Sequence, residues 1–455
     1  MSSPDRSRAF GIEPIGKLLR QQAVPAAVGI LMLSIYGIVD TVFVGRWVGP
    51  DGIGAITVVL PIMYLFASIG LAVGVGGSSI LSRALGANDM KRAALSFGNM
   101  ISITLGLSIT LAVLSFFFME EIVTAFGGKG SVKSPALEYF RIIVPGIPFL
   151  AWAMMANNVI RAVGHPKVAM VTLIIPAVTN VVLDPILIVW LDLGMSGAAI
   201  ATTSAYIASA VFTAIFFLRG RSGITLTSSD FIPDGAIVAE ASSLGSATLA
   251  RQGSVSIFYL ILNNALYAQG GELGLSVFGI VNRFLLFAIF PILGVTQGCV
   301  PIIGYNYGAE LWTRVKKIVG LSIRSSTLLA FIIFGVIMLY TPQLVRLFTT
   351  DERLIELTIP AMRIVFAMTP VIAINLIGSA YYQSIGKAWP ALILTLTRQI
   401  LFLIPLVLIL PSFYGLNGIW VSFPIADMGA SAVTFIFLAS QLKQLRAKEA
   451  QALGS

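Results

Sequence analysis

Charge is what this chain has least of: 11% of its 455 residues are Asp, Glu, Lys or Arg, against about 25% in a soluble domain. So few charges cannot solvate a surface this large, which excludes an ordinary soluble fold. Histidine and cysteine are nearly absent, with one of each, His165 and Cys299. A single cysteine rules out an intramolecular disulfide, and no Cys/His cluster has zinc spacing. His165 lies in a Gly-His-Pro-Lys turn and reads as a polar loop residue. The weak alternation over about 10 residues that marks a membrane β-barrel is missing. No Lys follows the GVGGSS run (74–79) with Walker spacing, so it is no phosphate loop; its small residues fit close helix approach. The net charge of +9 comes from basic residues spread along the loops, not from the stripe of a nucleic-acid binder. No Ser/His/Asp, Cys/His or metal-ligand constellation is present, so no enzyme and no bound cofactor is expected.

What is present is apolar: 57% of residues are hydrophobic, and the mean hydropathy is +0.92. Crossing a bilayer core of about 30 Å takes about 20 apolar residues in a helix, and the apolar stretches here are at least that long. The spacing predicts an all-α integral membrane protein of twelve transmembrane helices, over 19–46, 52–84, 93–117, 136–164, 166–191 and 195–218, then 239–268, 274–306, 315–340, 355–385, 388–410 and 416–441. One polar stretch with Gly and Pro, RGRSGITLTSSDFIPDGA (219–236), parts them. The expected organisation is an N-terminal lobe (1–218), a cytoplasmic linker (219–238), and a C-terminal lobe with a cytoplasmic tail (239–455).

Orientation follows from Lys and Arg in the loops. The leader, the linker, the tail and the turns holding Arg83, Lys91, Arg92, Arg161, Lys167, Arg314, Lys316, Lys317 and Lys387 outweigh the opposite side, with Arg46, Lys129, Lys133, Arg346 and Arg353. Both termini are expected in the cytoplasm of a prokaryotic cell, with the protein in its inner membrane. The halves also repeat. Gly49 pairs with Gly271, Gly86 with Gly308 and Gly164 with Gly386, each 222 residues apart. Six spans per half give parallel repeats, two six-helix bundles related by a pseudo-two-fold axis along the membrane normal, as in secondary transporters.

Ionisable residues at membrane depth point to function by default. Asp40 is about seven residues, or roughly 10 Å, from the outer end of helix 1, and Asp184 is about as far from the outer end of helix 5. Asn180 is one turn from Asp184 on the same face, Thr202 and Thr203 lie at similar depth in helix 6, and Tyr36 is one turn below Asp40. Two carboxylates in one low-dielectric pocket cannot both stay charged cheaply, so a proton or a cation must neutralise the pair. Pro185 disturbs the backbone bonding of helix 5 beside Asp184. In the second half Arg398 and Asp427 both fall near the midplane and are expected to pair, Asp427 having substrate or proton binding as its other reading. Met154, Met155, Asn157 and Asn158 in helix 4 either line a cavity or pack the core.

The run VPAAVGILMLSIYGIVDTVFVGRWVG (24–49), the R-A-x-G turns, NVVLDP, TRQILFLIPL (397–406) and FPIADMG (423–429) resemble the multidrug and toxic compound extrusion (MATE) family. The resemblance covers essentially the whole chain and is strongest to the DinF-like branch. It implies a cation-coupled antiporter that exports cationic or amphipathic drugs and metabolites by alternating access. Asp40, Asn180, Asp184 and Thr202 match the family's first-lobe coupling constellation, with Tyr36, Asn157 and Met154 as cavity neighbours. The NorM-like branch carries acidic cation ligands in helices 7 and 10; here helix 10 has no mid-span carboxylate, which favours H+ over Na+. A sodium site, if any, would use the first-lobe residues. The expected partners are small cationic or amphipathic substrates and membrane lipids, with no nucleic acid, and the protein is expected to be a monomer. The rival readings are a lipid-linked precursor flippase of the same superfamily and an integral-membrane enzyme.

Overall fold

The structure is a computed structural model and describes residues 3–454, leaving aside the side chains of residues 3–6, Tyr36, Ile38, Pro50 and 451–454. The described residues form helices joined by short turns, with no strand among them. In the first half α1 (Ser3–Ile12) leads into α2 (Ile15–Trp47), α3 (Pro50–Gly86) and α4 (Met90–Phe117). A short α5 (Met119–Ala125) precedes α6 (Lys133–Ile143), which a 3-10 turn at Val144–Gly146 joins to α7 (Ile147–Ala162). α8 (Pro166–Asp184) and α9 (Gly194–Leu218) follow. The second half contains α10 (Gly235–Gly308), α11 (Trp312–Arg346), α12 (Glu352–Phe366), α13 (Thr369–Ser384), α14 (Ala388–Leu396), α15 (Ile404–Ile409) and α16 (Pro411–Gly454).

Ten of these helical stretches are long and apolar enough to cross a bilayer, and the pair α12–α13, bent by 46°, makes an eleventh. The 74-residue α10 is two spans run together; at 1.5 Å per residue it would otherwise reach about 110 Å, several times a bilayer core. Its break is Gly271, at φ 57 and ψ −150, a conformation that glycine adopts without steric cost. Divided there, the helices give the twelve spans of the sequence reading.

The repeat is also written in the backbone. Left-handed φ recurs at Gly49 and Gly271, at Asn88 and Glu310 (58° each), and at Gly164 (84°) and Gly386 (81°). Each pair is 222 residues apart and ends or breaks a helix at the same place in its half, where a left-handed residue satisfies the last helical carbonyls.

Contacts divide the chain into two compact units, Met1–Ile12 with Val28–Thr248, and Glu13–Ala27 with Leu249–Ser455. Lipid offers little apolar driving force between helices, so close approach of small residues does much of the work. In the first unit a Cβ on Gly70 would lie 2.2 Å from the Ala151 carbonyl oxygen, and one on Gly76 2.2 Å from that of Ala241. The GVGGSS run is therefore a packing seam. In the second unit Gly294 and Gly298 meet the backbone of Ala27 and Ala23 in the same way.

The polar stretch before α10 is docked on the first unit. The buried Asn99 of α4 donates to the carbonyls of Asp230 (3.0 Å) and Ile232 (3.1 Å) and accepts from the Asp234 N–H (2.6 Å). Ser102 Oγ donates to Phe231 O at 2.6 Å. Glu240 at the start of α10 accepts from Arg83 (2.7 Å) and Arg92 (2.6 Å).

Candidate functional site

The site is built by four elements of the first unit. Asp40 sits on α2 seven residues before its end at Trp47, and Asp184 closes the α-helical part of α8. Thr202 lies eight residues into α9, and α6 contributes Tyr139. Asp40 is 6% exposed, Thr202 2%, and Asn180 and Asp184 not at all. Asn180 and Asp184 share a face of α8 because they are one turn apart, and Asn180 bridges its neighbours. With the amide oriented to satisfy both sides, its N–H groups donate to the two Asp184 oxygens (3.0 and 2.5 Å) and its carbonyl accepts from Thr202 Oγ1 at 3.1 Å. Tyr139 is buried beside Thr202 and stands within electrostatic range of Asp40, Asp184 and Tyr206. Asp40 and Asp184 also interact with each other electrostatically.

Asp40 differs from Asp184 in one respect: its Oδ1 is buried with no hydrogen-bond partner. A buried acceptor without a donor costs about 1–3 kcal/mol, and a buried unpaired carboxylate costs far more. This atom is where a proton or a small cation would relieve the site most.

The backbone beside the site is irregular. Pro185 has no N–H to give to Val181, and the helix widens to a π-helical stretch over Pro185–Trp190. Its widened bonding shows in Leu191 N–H donating to Ile186 O at 2.9 Å. Single π turns inside α-helices are frequent at functional positions. The second unit has a π-helical stretch in the corresponding helix, Thr397–Leu403, which carries Arg398. There Arg398 Nε donates to Asp427 Oδ1 at 2.5 Å, and Asp427 is 2% exposed. The two charges near the midplane are thus an ion pair.

The other residues singled out in the sequence fall elsewhere. Asn157 is buried but outside the carboxylate group; it donates to Ala169 O and Thr172 Oγ1, both at 2.6 Å. Met154 packs against the first-unit apolar core around Phe140 and Ile143, and its carbonyl accepts from Asn158. Thr203 donates to the Ile142 carbonyl at 3.1 Å. The Tyr36 side chain lies outside the described residues. His165 is not a free loop residue: it is 8% exposed and meets the Phe216 ring edge-on at 5.1 Å. Tyr139 was not legible, because a tyrosine near the end of a span looks like any interfacial aromatic. Among the described residues no three His, Cys, Asp or Glu side chains converge as a metal site.

Twelve spans, a duplicated half and a buried pair of carboxylates at membrane depth define a polytopic membrane transporter. The MatE family profile matches residues 25–186 and 251–409. The chain belongs to this family, the multidrug and toxic compound extrusion transporters. It is 27% identical over 420 residues to the multidrug export protein MepA of Staphylococcus aureus (strain NCTC 8325 / PS 47), covering 92% of each chain. Against MepA of Staphylococcus saprophyticus it is 26% identical over 406 residues, covering 89% of each. Among solved structures it superposes on an outward-facing multidrug resistance MATE family transporter with TM-score 0.90 at 26% identity, over 96% of this chain and 98% of that one. A MOP superfamily transporter from Pyrococcus furiosus gives TM-score 0.90 at 25% identity, again over 96% and 98%.

Proposed function

We propose that this protein is a proton-coupled antiporter that exports cationic or amphipathic compounds by alternating access, with Asp40 and Asp184 as the coupling pair. The observation that carries the reading is the buried pair itself, joined through Asn180 to Thr202 beside Tyr139, with Asp40 Oδ1 left without a donor. Two carboxylates in such a pocket are cheapest with one charge removed. A proton taken from outside would neutralise Asp40 and change how α2 packs, and proton and drug would favour different states. Coupling needs that difference in affinity between states.

Proton is favoured over sodium because, among the described residues, no third carboxylate joins Asp40 and Asp184 as a cation ligand. A sodium ion would have to draw on Asp40, Asn180, Asp184 and Thr202. The second unit adds no unmatched carboxylate at the midplane, since Asp427 is held by Arg398. We place the protein in the cytoplasmic membrane of a prokaryotic cell as a monomer, both termini on the Lys/Arg-rich cytoplasmic side. It performs transport without a catalytic step or a bound cofactor.

The test uses purified protein in liposomes loaded with a fluorescent cationic dye. A pH gradient alone should drive dye movement, a Na+ gradient alone should not, and Asp40→Asn should lose at least ten-fold in rate at equal incorporation. Movement on the Na+ gradient alone would turn the cluster into a sodium site. Movement on neither would favour a flippase of lipid-linked precursors.

A further inference from the structure

Arg251 is a charge at membrane depth without a partner. It stands on α10 sixteen residues after Gly235 and twenty before the Gly271 break, near the middle of its span. Among the described residues its guanidinium makes no hydrogen bond and no ion pair. An arginine inside a membrane is costly and turns to the bundle interior or to water, where it marks a substrate or ion path. Ser254 shows which way this face looks, because it lies one turn from Arg251 on the same side of the helix. Its Oγ donates to Gln399 Oε1 at 3.1 Å, so the face is turned to the π-helical stretch of the second unit that carries Arg398.

Arg251 belongs to a larger polar group within that unit. Tyr259, two turns beyond it, stands within electrostatic range of Arg398 and donates to Asn282 Oδ1 at 2.8 Å. Tyr259 and Asn282 lie twelve and eleven residues on either side of Gly271, so the two spans of α10 meet there at one depth. Arg398 gives its Nε to Asp427, while Nη1 and Nη2 have no partner among the described residues.

The bonds already made consume acceptors and leave donors over. Gln399 and Asn282 commit their side-chain oxygens to Ser254 and Tyr259, and their amide N–H groups stay unbonded. Two guanidinium groups stand against one carboxylate, because the unit's other described acidic residues lie near helix ends or at the Gly271 break. Arg251, Arg398, Gln399 and Asn282 are each partly exposed, so the spare donors can be reached. A cationic surface that offers only donors is complementary to an anion and repels a simple cation. Guanidinium groups hold carboxylates through strong, paired N–H bonds.

We infer that this face of the second unit binds the carboxylate of a zwitterionic amphipathic compound. Arg251 and Arg398 supply the charge, and the Gln399 and Asn282 amides supply further N–H donors. The inference rests on the reading of the protein as an exporter of amphipathic compounds, and it narrows them to molecules carrying both signs of charge.

The experiment compares two dyes that differ in one carboxylate, rhodamine B and its ethyl ester. Both are titrated with purified protein at neutral pH, and binding is read by fluorescence anisotropy. The quantity of interest is the Kd of the ester divided by the Kd of the acid. It should fall about ten-fold in Arg251→Gln, the loss expected of one charge-assisted pair, and survive in Arg251→Lys. Should Arg251→Gln fail to fold, Gln399→Leu replaces it, with an expected fall of roughly three-fold for one neutral donor. A ratio that does not change in these variants overturns the inference and leaves the export reading standing. Neither dye binding to the unaltered protein would overturn both.

Discussion

At the scale of single residues, the two buried carboxylates differ in their partners. Asp184 is held by the Asn180 amide, and Asp40 keeps an oxygen with no donor. Replacing Asn180 by Leu strands a buried carboxyl group, and the expected loss is about 1–3 kcal/mol of stability, to be measured by thermal unfolding in detergent. Tyr139→Phe removes one hydroxyl beside the same network. It is expected to leave folding intact and to slow proton-driven dye export several-fold; an unchanged rate would take Tyr139 out of the mechanism. Asp40, Asn180, Asp184 and Thr202 were legible in the sequence because charge and amide are rare inside apolar runs and their depths match. Tyr139 was not, since tyrosine is common at span ends, and of the two readings open for Asn157, cavity or core, its bond to Thr172 fits packing.

At the scale of elements, prolines explain several irregularities that hydropathy cannot show. Pro176 has no N–H for the Thr172 carbonyl, and Ser209 of α9 supplies the missing donor at 2.8 Å. Ser209→Ala should therefore cost about 1–3 kcal/mol, and a neutral result in thermal unfolding would mean that the carbonyl finds another donor. The linker offers a similar case. Its composition reads as a polar linker, yet the partners of Asn99 lie more than 130 residues away in sequence, and such long-range docking leaves no local signal. Asn99→Ala should free residues 228–234, seen as faster hydrogen exchange there. Within the linker the Thr227 N–H and hydroxyl hold the Asp230 carboxylate below its ordinary range. A lowered folded value means the contribution is present above the unfolded pKa and is lost as pH falls through the folded one. Exchange protection at this turn should accordingly be flat from neutral pH down to mild acid and fall only in stronger acid.

At the scale of the whole molecule, the duplication was readable from three glycine pairs at one spacing, two of which need backbone freedom that few other residues have. The structure puts left-handed backbone at two of those pairs and at Asn88 and Glu310 besides. The division into units was harder to read: of its three cuts, Ile12–Glu13 falls at a turn, but Ala27–Val28 and Thr248–Leu249 lie inside continuous helices. Orientation rests on the loop charges and is directly testable. Cys299 is buried, so single cysteines introduced at Ser229 and at Gly127 can be labelled in intact cells with an impermeant maleimide. Gly127→Cys should label from outside and Ser229→Cys only after permeabilisation, and the reverse pattern would invert the topology. The central claim of the proposal is that a proton on the buried carboxylate pair and a bound substrate favour different states, so that each weakens the other's binding. Its most direct test is to add a cationic substrate to purified protein in weakly buffered solution and follow the pH. The account predicts proton release on substrate binding, abolished when Asp40 and Asp184 are both replaced by Asn. Substrate binding with no proton release, or release undiminished in that double variant, would contradict it.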